Sequence, residues 1–212
     1  HDALPISVAG AFAYQRRRSS AYEWEMQNPA EDPLDAMEPG EYSFARLRYR
    51  SAGGWRRGSW GTDSNKAERV FVQGVRRLTR VNARSVEEII DVEDDNMYNW
   101  PWLYAVEVGH WRLDDKHAAR LRQYLDRGGF LMVDDFHGSY EWAVFEDSLR
   151  KIFPDRTVVD LDNGDPMFHV LYDLNDRFQV PGRQYIWSGS TSERDGYEAK
   201  WRAVLDEKNR VQ

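Results

Sequence analysis

The sequence contains no cysteine, which removes disulfide bonds, thiolate metal sites and any cysteine nucleophile at once. With only 8 prolines and 15 glycines in 212 residues, it is not a collagen-like or low-complexity chain. No apolar run approaches the roughly 18 residues that cross a bilayer, so no transmembrane segment is expected. An excess of positive charge is also missing, since 29 Lys and Arg stand against 36 Asp and Glu, a net of −7. General nucleic-acid binding, which draws its affinity mainly from neutralising phosphates, is therefore not expected. What is present is a globular composition, with 41% hydrophobic and 31% charged residues and 9 Trp, 11 Tyr and 9 Phe. That is enough for one buried core of the size usual in a domain of about 100–200 residues.

The opening His1-Asp2-Ala3-Leu4-Pro5-Ile6-Ser7 resembles translated adapter sequence and is set aside from the fold. The small-x-small triplet Ala11-Phe12-Ala13 suits the cleavage site of a secretory signal. An exported, periplasmic location is expected on that ground, with the cytoplasm as the alternative. Residues 14–41 are rich in charge, Pro and Asn without a sustained period and read as an extended leader. The folded domain is expected over 42–212. Its end reads as a hairpin cut in half, with a strand over Trp201–Leu205, a turn over Asp206–Asn209 and a partner strand beginning at Arg210.

Within the domain, Tyr42–Arg50 alternates large apolar groups with Arg46, Arg48 and Arg50, as a strand does. After a Gly- and Trp-rich loop, Thr62 or Asp63 can cap a helix to about Arg80, with Ala67, Val70, Phe71, Val75 and Leu78 as its inward stripe. Strands are expected over Val86–Val92 and Leu103–Val108. A helix opening at Asp114 or Asp115 should end at Gly128-Gly129, where a left-handed cap suits glycine. Phe130–Val133 is a continuous apolar run, the pattern of a central parallel strand covered on both faces. Ser139 can cap the next helix, which Pro154 stops. Thr157–Leu161 returns as a strand, and Asp165-Pro166 opens a short helix through about Tyr172. Strands alternating with helices give an α/β fold with a mainly parallel sheet, and a flavodoxin-like three-layer sandwich fits the length.

In such sheets ligands sit beyond the carboxyl ends of the strands where strand order reverses, here between the first and third strands with the fourth beside them. That rule selects Arg50, Trp55, Arg56 and Trp60 after the first strand, Glu107 and His110 after the third, and Asp134, Asp135 and His137 after the fourth. Asp134, Asp135 and His137 have two readings. One Asp caps or orients the loop at a helix N-terminus while His137 is a surface residue. Otherwise one Asp accepts a proton or coordinates a divalent ion, with His137 donating or ligating. Neighbouring residues of a strand face opposite ways, so Asp134 and Asp135 cannot flank one bond, whereas Glu107 and Asp135 can. Arg46, Arg48 and Arg50 are either the solvated face of an edge strand or part of an anion cradle, and Trp55 and Trp60 can offer a sugar a flat apolar face. His117 reads as an exposed helix residue and His169 as a packed or capping one. The glycines of the first loop match neither a dinucleotide nor a phosphate-loop pattern, and no Gly-x-Ser-x-Gly elbow is present.

Thr62-Asp63 with Ala67-Glu68-Arg69, Trp100-x-Trp102-Leu103-Tyr104, Arg127 to His137, Glu141-Trp142-x-x-Phe145-Glu146 and Asp165 to His169 occur in that order. Together they resemble the bacterial family called domain of unknown function 4159 over about residues 42–212. The resemblance implies a class I glutamine-amidotransferase-like fold, members that carry export signals or sit in envelope proteins, and closing strands beyond the Lys208-Asn209 turn. The chain departs from true amidotransferases where Asp135-Phe136-His137 follows the fourth strand and no thiol is available, which excludes thiolate-based glutamine hydrolysis. Two functions remain expected. One is a non-catalytic module holding a small polar or carbohydrate ligand, or an envelope protein partner. The other is a hydrolase, with glycans as one candidate substrate class, using Asp135 and Glu107 as acid and base with His110 or His137 assisting. No cofactor is required by either, and a divalent metal stays open.

Overall fold

The computed structural model describes residues 31–51, 59–176, 178–181 and 185–212. Four short strands, β1 (Ala45–Arg48), β2 (Glu88–Asp91), β3 (Trp102–Val106) and β4 (Phe130–Asp134), form one sheet in the order β2-β1-β3-β4 with every pair parallel. Parallel neighbours need crossovers. These contain α1 (Lys66–Leu78) between β1 and β2 and α2 (Asp115–Asp126) between β3 and β4, and α3 (Gly138–Ile152) follows β4. Strand order reverses between β1 and β3, as the α/β reading requires. β5 (Val158–Asp160) and β6 (Arg202–Val204) pair antiparallel in a separate sheet, and a one-turn helix, α4 (Tyr185–Ser188), lies between them in sequence. The C-terminal residues turn back on themselves, with Leu205 bridging Val211 around a turn at Asp206–Asn209.

Alternation along β1 sorts the core into two layers. Ala45 and Leu47 join Leu103, Ala105 and Leu131 against Leu121 and Leu125 of α2 and Phe145 and Ile152 of α3. Phe44, Trp102 and Tyr104 turn the other way, onto Val72 and Val75 of α1. Each fully buried leucine here contributes about 1.5–3 kcal/mol. Asp114 caps α2 by accepting from the His117 amide at 2.8 Å, and Gly128 leaves the helix at φ 94.

Several local expectations are corrected. β1 is an inner strand, so Arg46 is not on a solvated edge; it is fully buried against Glu68, with 0% side-chain exposure for both, and Arg48 is paired with Asp91. Because Arg46 needs that carboxylate, α1 turns Glu68, Arg69 and Val72 inward and leaves Val70, Phe71 and Leu78 exposed. Asp63 lies before α1 in the left-handed region at φ 57 and does not cap it; Asn65 takes the N-cap position, though its side chain does not cap the amides of the first turn. β4 is the last strand of its sheet rather than a central one, because β5 leaves to pair with β6. His117 is buried between Glu93 (2.9 Å) and Asp114 (3.0 Å). The helix opened by Asp165-Pro166 is a 3-10 turn that stops at His169, consistent with the poorer bonding of that helix type. His169 closes it with bonds to the Asn163 carbonyl and Asp173.

Candidate functional site

The residue that follows each of β3 and β4 is acidic and has left-handed backbone, Glu107 at φ 56 and Asp135 at φ 55. A side chain with a Cβ is strained there by about 1 kcal/mol, and the kink stops each strand and turns a carboxylate out at its tip. The two tips are tied together where the Glu107 amide donates to the Asp134 carbonyl at 3.1 Å. The buried Tyr49 hydroxyl lies 2.6 Å from the Val106 carbonyl and 2.9 Å from that of Glu107, fixing the turn from below. A 3-10 turn, Val108–His110, follows and carries His110 back over the tip.

The first turn of α3 completes the arrangement. A Cβ on Gly109 would fall 2.4 Å from Cβ of Glu141, so glycine is what lets α3 approach the β3 tip. Glu141 is only 2% exposed although it lies in a helix's first turn. Its Oε1 is 3.2 Å from His110 Nε2 and 2.8 Å from Arg194 Nη2, and its Oε2 accepts from the His137 amide at 2.6 Å. His110 Nε2 is also 3.3 Å from Glu107 Oε2, so one imidazole nitrogen bridges carboxylates from two elements. His137 is the N-cap residue of α3 and pairs through Nε2 with Asp135 Oδ1 at 2.9 Å, with Glu193 at 4.0 Å. The bond to Asp135 raises the His137 pKa above its ordinary value; burial opposes this, and the charges of Glu193, Asp135 and Glu141 reinforce it.

Asp134 and Asp135 diverge, as alternation demands. Asp134 accepts from the Tyr104 hydroxyl on the α1 face, whereas Asp135 holds His137 at the start of α3. Part of Asp134 reaches solvent, but crowding around its carboxyl raises its pKa; the Tyr104 bond pulls it down and the Asp135 charge pushes it up.

The structure therefore joins Glu107, His110, Asp135 and His137 in one polar cluster and sets Asp134 on the other side of β4. Arg50 lies apart, 3.5 Å from Glu93. Trp60 is 2% exposed and turned into the core, so its ring offers no ligand platform; the reason is that its carbonyl and that of Thr62 are acceptors for Arg46 (2.9 and 3.0 Å), which draws the segment inward. Trp55 and Arg56 lie outside the described residues. The expected capping role of Ser139 is also corrected. Ser139 is inside α3, and its amide donates to Asp195 Oδ1 at 2.9 Å, a cap supplied from a distant segment. Glu141, Glu193, Arg194 and Asp195 escaped sequence reasoning. Glu141 gave one usable signal, an acid in the first turn of a helix; the other three gave none. Among the described residues, no group of three or more His, Asp or Glu is disposed to hold a metal ion, and no helix is long and apolar enough to cross a membrane.

What the cluster can do chemically follows from its pairing. Each of these carboxylates already faces an imidazole, guanidinium or amide donor, so the group presents oriented acceptors and imidazole nitrogens rather than an unpaired nucleophile. No curated protein matches the sequence. The family model described as Domain of unknown function (DUF4159) matches residues 43–212, a span that holds every strand and helix above and the whole polar cluster, and the chain belongs to that family.

Proposed function

We propose that this domain is a non-catalytic binding module that holds a small hydroxyl-rich ligand of carbohydrate type at the tips of β3 and β4. The observation that carries the reading is the convergence of Glu107, His110, Asp135, His137 and Glu141 with their acceptors pre-set by protein donors. Sugar hydroxyls donate to such carboxylates without any change of charge, and fixed acceptors lose little entropy on binding. Tyr140, 66% exposed and 5.9 Å from the Arg194 guanidinium, supplies a ring on which the apolar face of a sugar can lie. In this reading the scaffold is of the class I glutamine-amidotransferase-like type with its thiol chemistry absent, as the lack of cysteine requires. The small-x-small triplet Ala11-Phe12-Ala13 supports placing the module in the exported compartment.

The test is calorimetry and thermal shift on the purified chain with a panel of neutral and amino sugars, run beside Asp135→Asn and His110→Ala. A sugar that raises the melting temperature of the parent and not of the variants supports the site. Equal shifts in all three place the ligand elsewhere and overturn it. Release of reducing sugar from an oligosaccharide in the same samples would replace binding by hydrolysis.

A further inference from the structure

The segment Ser190–Gly196 crosses the start of α3 and touches it through two polar anchors. Arg194 reaches Glu141 Oε1 at 2.8 Å, and Asp195 Oδ1 accepts the Ser139 amide at 2.9 Å. Glu193 adds a weaker contact to His137 at 4.0 Å. The backbones meet through two glycines. A Cβ on Gly138, itself at φ 72, would fall 2.0 Å from Asp195 Oδ1, and one on Gly196 would fall 2.9 Å from the Gly138 nitrogen. Just before the segment, Gly189 is at φ 67 with nothing within 4 Å of its Cβ position, a place where the chain can turn without collision. Tyr197, next in the chain, is exposed, as are Phe178 and Val180 ahead of α4, and the Gln179 side chain holds the Gly196 carbonyl at 3.0 Å, so the segment is held by polar contacts rather than by apolar burial. Segments fixed by a few polar contacts and little apolar burial open at lower free energy than the core.

We propose that Ser190–Gly196 is a strap that swings about Gly189 to cover and uncover the polar cluster, latched by Arg194 on Glu141 and by Asp195 on the α3 N-terminus. Closed, it buries Glu141 and satisfies it with a guanidinium. Open, it bares Glu141 beside His110 and His137, and a ligand hydroxyl or ammonium takes the place of Arg194 as donor. The strap regulates access to the site proposed above, but its motion belongs to the free protein and is measured without any ligand. The ligand-binding reading and the strap therefore fail separately.

The experiment is amide hydrogen exchange on the intact chain, for the parent, Asp195→Ala and Arg194→Ala, with melting temperatures recorded in parallel. In the parent, the amides of 190–196 and Ser139 are expected to exchange measurably but ahead of α2 and β3. Either variant should speed those amides by about tenfold, the effect of losing one charge-assisted hydrogen bond, while α2 and β3 are unchanged. Three results would overturn the proposal. The first is exchange of 190–196 as slow as that of α2, meaning that it opens only with the whole domain. The second is no protection of 190–196 in the parent. The third is no acceleration in either variant. Because the sequence has no cysteine, a single Ser192→Cys variant gives a second readout. Its labelling rate should rise when Asp195→Ala is added, and an unchanged rate would count against the latch.

Discussion

Replacing Glu68 by Gln removes the charge of the buried Arg46–Glu68 pair while leaving its space filled. Both side chains are 0% exposed. After the change Arg46 keeps the Trp60 and Thr62 carbonyls at 2.9 and 3.0 Å but loses its counter-charge, and the bond that Ser64 donates to Glu68 at 3.0 Å can persist with Gln. Breaking a buried pair by removing one partner costs about 3–5 kcal/mol. Because Gln still accepts hydrogen bonds, the lower end, about 3 kcal/mol, is expected. At roughly 2–4 °C per kcal/mol for a domain of this size, the melting temperature should fall by about 6–12 °C. The double variant Arg46→Met with Glu68→Leu removes both charges and should return to within about 1 kcal/mol of the parent. Burial pushes the Glu68 carboxyl up while Arg46 pulls it back, so the parent and the two variants are compared at neutral pH, by urea unfolding with the m-value checked for constancy. A loss below about 0.5 kcal/mol for Glu68→Gln, the value of an exposed pair, would refute the account of β1 as an inner strand carrying a buried ion pair.

Gly109→Ala should destabilise by about 1–3 kcal/mol, since its methyl would meet Glu141 at 2.4 Å; a neutral result in urea unfolding would mean that α3 does not approach the β3 tip so closely. His137 has a folded pKa above its ordinary value, chiefly through Asp135. Its contribution to stability is therefore fully present below the ordinary histidine value and is lost as pH rises through the folded one. An NMR titration should place the His137 midpoint higher in the parent than in Asp135→Asn, and equal midpoints would dissolve the pair. Asp114→Ala should cost about 1 kcal/mol through the lost cap on α2, and it should also free one side of His117, visible as a changed His117 resonance.

Local chemistry was the legible part of this fold. The strand over Phe130–Val133, the Asp114 cap and the glycine stop at Gly128 depend on neighbours a few residues away and formed as their patterns predict, although that strand's place at the sheet's end did not follow from its pattern. The gathering of strand ends was legible for a different reason, because parallel connectivity alone brings the ends of β1 and β3 together with β4 beside them. Arg46 misled because a charged residue in an alternating strand looks solvated until its partner is known, and Glu68 is 22 residues further on, across a crossover. The α1 stripe held only in part: Val75 packs inward and Phe71 meets the Phe44 and Trp102 rings, while Val70 and Leu78 stay exposed and the inward places beside them go to Glu68, Arg69 and Val72. Arg194 and Asp195 were beyond reach. Their partners Glu141 and Ser139 lie more than fifty residues earlier, and no periodic pattern links an irregular segment to a distant helix end.

Glu107 and Asp135 occupy backbone states that glycine would enter freely. Glycine at either tip would relax the chain, yet it would also erase the acid that faces His110 or His137 and loosen the unfolded chain. Each tip thus spends backbone strain on placing a carboxylate, and the imidazole beside it returns part of that cost.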